Sequence, residues 1–119
     1  MIDHLELHTA DLARATAFYR ETLAPLGYRL HVEGAAHGFG AAPDALDFWL
    51  KPGTPSEPRP HFAFRCASRA LVDQAHGAAL AAGGENRGSP SLLAHIHPRY
   101  YAAFVGDPDG HPVELVCHA

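Results

Sequence analysis

The sequence predicts an α+β fold made of two tandem βαβββ units, and three observations predict it. Residues 2–8 and 61–65 each alternate apolar with polar side chains, the period of a strand with one greasy and one wet face. Each alternating run leads into an apolar stripe at helical spacing that closes on glycine. Laying His61 over His4 also brings Ser68 over Asp11 and Gly84 over Gly27, so both helices start and stop under one offset. An internal duplication accounts for that economically.

In the first unit Leu5 and Leu7 alternate with His4, Glu6 and His8. Thr9 or Asp11 caps a helix running to about Leu23, with Leu12, Ala15, Phe18, Tyr19 and Thr22 along its apolar stripe. Pro25 and Gly27 end it. Short strands are expected over residues 28–33, 38–42 and 46–51, the middle one weakly patterned. Residues 51–60, with Pro52, Pro55, Pro58 and Pro60, read as an extended, stiff linker. In the second unit Phe62 and Phe64 alternate with His61, Ala63 and Arg65, and Ser68 opens a helix through Leu71, Ala75, Ala79 and Leu80 to Gly83-Gly84. A strand over residues 100–106, a turn Asp107-Pro108-Asp109-Gly110 and a last strand to His118 close it. One domain of residues 1–119 is therefore expected, its units covering about 1–53 and 60–119.

Composition narrows the functional classes. A chain of 119 residues, 47% hydrophobic, buries a core of ordinary size without disulfides or a structural metal. A net charge of −4 and the absence of any Lys or Arg run exclude a nucleic-acid partner. No basic-then-apolar leader opens the sequence, and no apolar stretch reaches membrane-spanning length, so a cytoplasmic protein with no membrane partner is expected. Cys66 and Cys117 lie far apart in sequence and serve as small apolar fillers in a reducing compartment.

Histidine is the anomaly: 10 of them against 9 lysines and arginines. His31, His37, His76 and His111 are read as solvated or hydrogen-bonded bystanders. The others fall into phase. Leu5 and Leu7, Phe62 and Phe64, and Val113, Leu115 and Cys117 are the strand sides that helices cover. The opposite sides carry His4, Glu6 and His8, then His61, Ala63 and Arg65, then Glu114, Val116 and His118. Three strands thus place His4, His61 and Glu114 on one phase. Two histidines and a carboxylate with open positions form a set suited to divalent iron, manganese or zinc.

At these residues the sequence resembles the vicinal oxygen chelate superfamily, which groups glyoxalase I, extradiol dioxygenases, fosfomycin-modifying enzymes and bleomycin-binding proteins. The resemblance rests on the duplicated units, on His4 seven residues ahead of Asp11-Leu12, on His61 at the equivalent point, and on Asp107-Pro108-Asp109-Gly110 ahead of Glu114. It covers essentially the whole chain. The segment His97-Pro98-Arg99-Tyr100-Tyr101-Ala102-Ala103-Phe104-Val105 is its most specific part and looks like an uncharacterised glyoxalase-like branch. The resemblance implies curved mixed sheets around a cleft with the helices outside, and a divalent metal (Fe, Mn, Zn or Ni) on His4, His61 and Glu114. It also implies a homodimer in which the first unit of one chain faces the second unit of the other.

One position departs from the family pattern. Where glyoxalase I keeps a second glutamate, this sequence places Trp49, and an indole cannot abstract a proton. Isomerisation of the methylglyoxal hemithioacetal is therefore not expected. Glu6, His8 and His118 are the candidate acids and bases. Trp49, Arg65, His97, Tyr100 and Tyr101 are candidate substrate contacts, while His95, His97, Tyr100 and Tyr101 either wall the pocket or pack. The expected activity is metal-dependent, glyoxalase-like lyase or isomerase chemistry on a small substrate that chelates through neighbouring oxygens. A ring-cleaving dioxygenase and a metal-independent, bleomycin-resistance-like binding protein are the alternatives.

Overall fold

A computed structural model describes residues 1–119 and contains two four-stranded mixed sheets and two helices. Strand β1 (Leu5–Thr9) leads into α1 (Leu12–Leu23) and a short 3-10 turn, Ala24–Leu26. Strands β2 (Arg29–Glu33), β3 (His37–Gly40) and β4 (Leu46–Pro52) complete the first sheet, in the order β1-β4-β3-β2. Strand β5 (Phe62–Arg65), helix α2 (Arg69–Ala81) and strands β6 (Glu85–Leu92), β7 (Tyr101–Gly106) and β8 (Pro112–Cys117) repeat the plan as β5-β8-β7-β6. In each sheet the first strand runs parallel to the last and the remaining pairs are antiparallel. The α+β, duplicated βαβββ fold is as the sequence predicts.

Local chemistry explains the helix limits. Asp11, not Thr9, caps α1, its carboxylate accepting from the Arg14 amide, and the Ser68 hydroxyl accepts from the Leu71 amide at the start of α2. After the first helix Gly27 adopts φ 82°, a left-handed geometry that costs other residues energy.

The two helices pack against each other, so one core spans both units. Leu7, Phe18, Tyr19, Leu23, Phe48 and Leu50 of the first unit meet Ala79, Val105 and Val113 of the second. Phe48 also stands 5.2 Å, centroid to centroid, from Phe64.

Three stretches differ from the sequence expectation. The weak third strand begins at His37 and ends at Gly40, where a bulge shifts its register against β4. Strand β4 continues into Pro52, and the proline-rich stretch behind it is tethered rather than free: Arg59 Nε donates to the Asp109 carbonyl at 2.9 Å and its Nη1 to Ser56 O. The duplication demands a strand between α2 and residue 100, and it lies at Glu85–Leu92 despite Gly88 and Pro90. Its place at the sheet edge, with an interrupted register, tolerates a residue that cannot donate. No helix of the chain is long and apolar enough to cross a membrane.

Candidate functional site

Glu114 sits at the middle of β8, level with Ala63 on β5 and Phe104 on β7. Its neighbours Val113 and Leu115 point into the helix-side core, so the pleat turns Glu114 to the opposite face. Its side chain is only 6% exposed, and a buried carboxylate needs donors. It has two. His61, the residue ahead of β5, brings Nε2 to 2.9 Å from Oε1, with its ring stacked near Phe104. The Tyr100 hydroxyl donates a short hydrogen bond to Oε2. That bond, with smaller contributions from burial and the Glu114 charge, pushes the Tyr100 phenol up to about 12. Tyr100 is itself held on both sides: its amide donates to His97 O at 3.0 Å and its carbonyl accepts from Leu93 N at 2.7 Å.

The edges of the two sheets, β1 and β5, face a cleft of about 500 Å³. His4, His61 and Arg65 give it polar character, and Phe48, Phe62 and Phe64 give it an apolar floor. His4 is exposed and bonds to Asp3, 2.7 Å from Nδ1 to Oδ1. It does not join His61 and Glu114 in a common ligand cluster within one chain.

On the first sheet Phe48 and Leu50 are buried on the helix side, which turns Trp49 to the other face, where its indole lies against Gly38. A Cβ on Gly38 would stand 2.8 Å from the ring, so the glycine makes room for it. Trp49 pairs level with Glu6, as Glu114 pairs level with Ala63. The two sheets therefore exchange their roles: the carboxylate lies on the last strand in one unit and on the first strand in the other. Glu6 is exposed and makes no side-chain hydrogen bond, whereas Asp47 is engaged by the Tyr28 hydroxyl at 2.6 Å. His8, on the same strand as Glu6, packs over Gly53.

The remaining candidates separate into two faces. His118 stands edge-on to Tyr100 at 5.1 Å and near His97 at 6.0 Å, which places all three around the Glu114 side of the second sheet. Tyr101 is a correction to the sequence reading. It faces α2, its hydroxyl donating to Asp73 at 2.7 Å and Arg69 lying over its ring, because the strand pleat sends consecutive tyrosines to opposite faces.

The sequence reading did not single out a second cluster. Asp107, Asp109 and His111 bring ligand-type atoms within 4.8 Å of one another, a spacing that could hold a metal ion. Their oxygens, however, are already engaged. Asp107 accepts from the amides of Asp109 and His111, from His111 Nδ1 and from the buried Tyr19 hydroxyl, while Asp109 accepts from Thr9 Oγ1 and the Ala10 amide. Burial alone would raise the Asp107 pKa, but the bonds from His111 and Tyr19 outweigh it and hold the carboxyl below its ordinary value. We read the cluster as a knot tying the second unit's turn to α1 and β1. The acid-rich turn was visible in sequence; its partner Tyr19 was hidden as one more core aromatic.

The His61–Glu114 pair fits a divalent cation. Ligands bonded at about 2.0–2.2 Å stand roughly 3 Å apart around one ion, close to the 2.9 Å found between Nε2 and Oε1. The imidazole and carboxylate together suit borderline metals.

Comparison with known proteins agrees with this architecture. A family model described as Glyoxalase/Bleomycin resistance protein/Dioxygenase superfamily matches residues 1–115. A solved glyoxalase/bleomycin resistance protein from Albidiferax ferrireducens T118 superposes with a TM-score of 0.83 at 21% identity, covering 97% of this chain and 96% of that one. A glyoxalase/bleomycin resistance protein/dioxygenase family enzyme from Burkholderia phytofirmans PsJN gives 0.76 at 15% identity, over 99% and 98%. The fosfomycin resistance protein FosX from Mesorhizobium loti gives 0.71 at 19% identity, over 96% and 88%. At these identities the likeness is one of fold. No curated protein matches the sequence.

Proposed function

Because the chain belongs to the glyoxalase/bleomycin resistance protein/dioxygenase superfamily, we propose that it is a divalent-metal-dependent, glyoxalase-like enzyme acting on a small substrate with two neighbouring oxygens. The observation that carries this reading is the His61–Glu114 pair, an imidazole and a buried carboxylate 2.9 Å apart on the sheet face away from the helices. His4 completes the ligand set from a second copy of the chain. One chain gathers only two of the three ligands, and the β1 and β5 edges beside the cleft are left unpaired within it, a liability that a dimer covers.

A bound divalent cation supplies Lewis acidity to the substrate's oxygens. The chain's own residues supply the rest. Glu6, whose side chain makes no hydrogen bond and faces the same side as Trp49, is the carboxylate we assign as the proton acceptor. Trp49 offers a flat indole wall where a second carboxylate would otherwise stand, which disfavours the methylglyoxal hemithioacetal as substrate. Arg65 makes no side-chain hydrogen bond and lines the cleft, a cation suited to an anionic substituent. We assign His8, on the Glu6 strand, and His118, beside Tyr100, as the further proton carriers.

The test is metal analysis of protein purified without chelator. About one divalent ion per chain is expected, with most of it lost in His61→Ala. Full, unchanged metal content in that variant refutes the ligand assignment, and a protein that takes up no divalent metal is instead a metal-independent binding protein.

A further inference from the structure

Both oxygens of Glu114 are engaged, but their two partners have different futures. His61 Nε2 stands at Oε1 and the Tyr100 hydroxyl at Oε2. A histidine that ligates through Nε2 must give up any proton on that nitrogen and turn its lone pair to the cation. His61 therefore stops donating to Glu114 once it begins to ligate. The phenol has no such second duty. Its backbone is pinned by bonds to His97 and Leu93 and its ring packs edge-on against His118, so the hydroxyl stays where it is.

We propose that Tyr100 is a positioning residue that holds Glu114 as a one-oxygen ligand, its hydroxyl occupying Oε2 so that Oε1, beside His61 Nε2, is the oxygen left to a divalent cation. The inference rests on the reading of His61 and Glu114 as metal ligands. Its functional content is a coordination position. A carboxylate that closes on a cation with both oxygens uses two positions, whereas one held by Tyr100 uses one and leaves the other to a substrate that chelates through two oxygens. Tyr100 thereby acts on the substrate without touching it, through the ligand it orients. Tyr101 provides a matched comparison next door, because its hydroxyl is spent on Asp73 at the helix side.

The experiment titrates Co(II) into the unmodified protein and into Tyr100→Phe, Tyr101→Phe and His61→Ala. Affinity is read by calorimetry and carboxylate binding mode by infrared difference spectra, loaded minus metal-free, on ¹³C-glutamate-labelled protein. In the unmodified protein the symmetric and antisymmetric carboxylate stretches are expected far apart, the pattern of a one-oxygen ligand. Tyr100→Phe is expected to bind Co(II) about 10–100-fold more weakly and to bring the two stretches together. Tyr101→Phe is expected to change neither. Unchanged affinity and spectrum in Tyr100→Phe overturn the proposal. So does a narrow, two-oxygen separation in the unmodified protein, a result that needs no variant to fold. Failure of the underlying metal reading looks different: His61→Ala binds Co(II) as tightly as the unmodified protein, or the unmodified protein binds none, and the proposal falls with it.

Discussion

Replacing Tyr19 by Phe removes one oxygen from a place where no water can replace it. The ring stays, with its contacts to Phe18 at 4.9 Å and Phe48 at 4.7 Å, so packing is nearly conserved. What is lost is the hydroxyl's bond to Asp107, whose side chain is 1% exposed, while Tyr19 is fully buried. A hydrogen bond to a buried charge contributes about 1.5–3 kcal/mol. With an unfolding entropy of about 2.1 cal/mol/K per residue, a chain of this length has a slope near 0.25 kcal/mol per degree, so Tm should fall by about 6–12 °C. Calorimetry at neutral pH reads this directly. Tyr28→Phe is the control, since its hydroxyl bonds the exposed Asp47 and should cost roughly 0–1 kcal/mol. The pH dependence carries the same signature. Because the Asp107 pKa is held below its ordinary value, its contribution is present above about pH 4 and fades as the pH drops through the folded-state value. In Tyr19→Phe part of that depression is gone and the acid loss starts from a smaller contribution. At the alkaline end burial, with the Asp107 charge and hydrogen bond, lifts the Tyr19 phenol well above 10, so stability falls as the pH rises past 10. Tyr19→Phe loses that share of the alkaline fall, while the other raised groups, such as Tyr100 and Cys66, keep theirs. A Tm within 2 °C of the unmodified protein, with unchanged acid and alkaline limbs, would refute the reasoning.

Gly84→Ala should cost about 1–3 kcal/mol, measured by urea unfolding, because its Cβ would stand 2.7 Å from Val105 Cγ2 and 2.8 Å from Phe18 Cε1; an unchanged midpoint would contradict this packing. Burial, joined by the charge of Cys117, pushes the Cys66 thiol up to about 11 against a backbone hydrogen bond from Val116, and the residue is 3% exposed. Ellman's reagent should therefore modify Cys66 rapidly only after unfolding; fast reaction in the folded protein would show the site is open. Coexpressing His4→Ala with His61→Ala chains should restore metal to one site of each mixed dimer while neither variant alone binds it. A protein that sediments as a monomer at micromolar concentration yet holds metal would exclude shared sites.

What the sequence disclosed followed from short-range rules. Asp11 and Ser68 announce helix starts because a capping side chain acts three residues away, and Leu5, Leu7, Phe62 and Phe64 mark their faces because a strand alternates every residue. His61 and Glu114 could be placed on a common side by that same phase, and Trp49 could be placed opposite Phe48 and Leu50. Relations across the fold were not legible. Nothing local says that Tyr19 serves Asp107, that Tyr100 bonds Glu114 while Tyr101 turns to Asp73, or that Arg59 reaches back to the Asp109 carbonyl. Strand β6 escaped for a different reason: Gly88 and Pro90 erase alternation, and only pairing with β7 makes the segment a strand.

The knot at residues 107–111 also bears on the order in which the molecule is made. Ribosomes deliver Thr9, Ala10 and Tyr19 roughly a hundred residues before the aspartates that receive their hydrogen bonds. Until then the Tyr19 hydroxyl lacks its Asp107 acceptor, and the wall formed by Ala79, Val105 and Val113 does not yet exist. The nascent first unit is thus a provisional structure with an open side, whatever its resemblance to the second. The equivalent turn of the first unit, with Pro43 and Asp44, offers no substitute: Asp44 is exposed and makes no side-chain hydrogen bond. Duplication made two units alike in outline, yet only the later one carries the clasp, so the first unit's core is closed only when the end of the second unit has emerged.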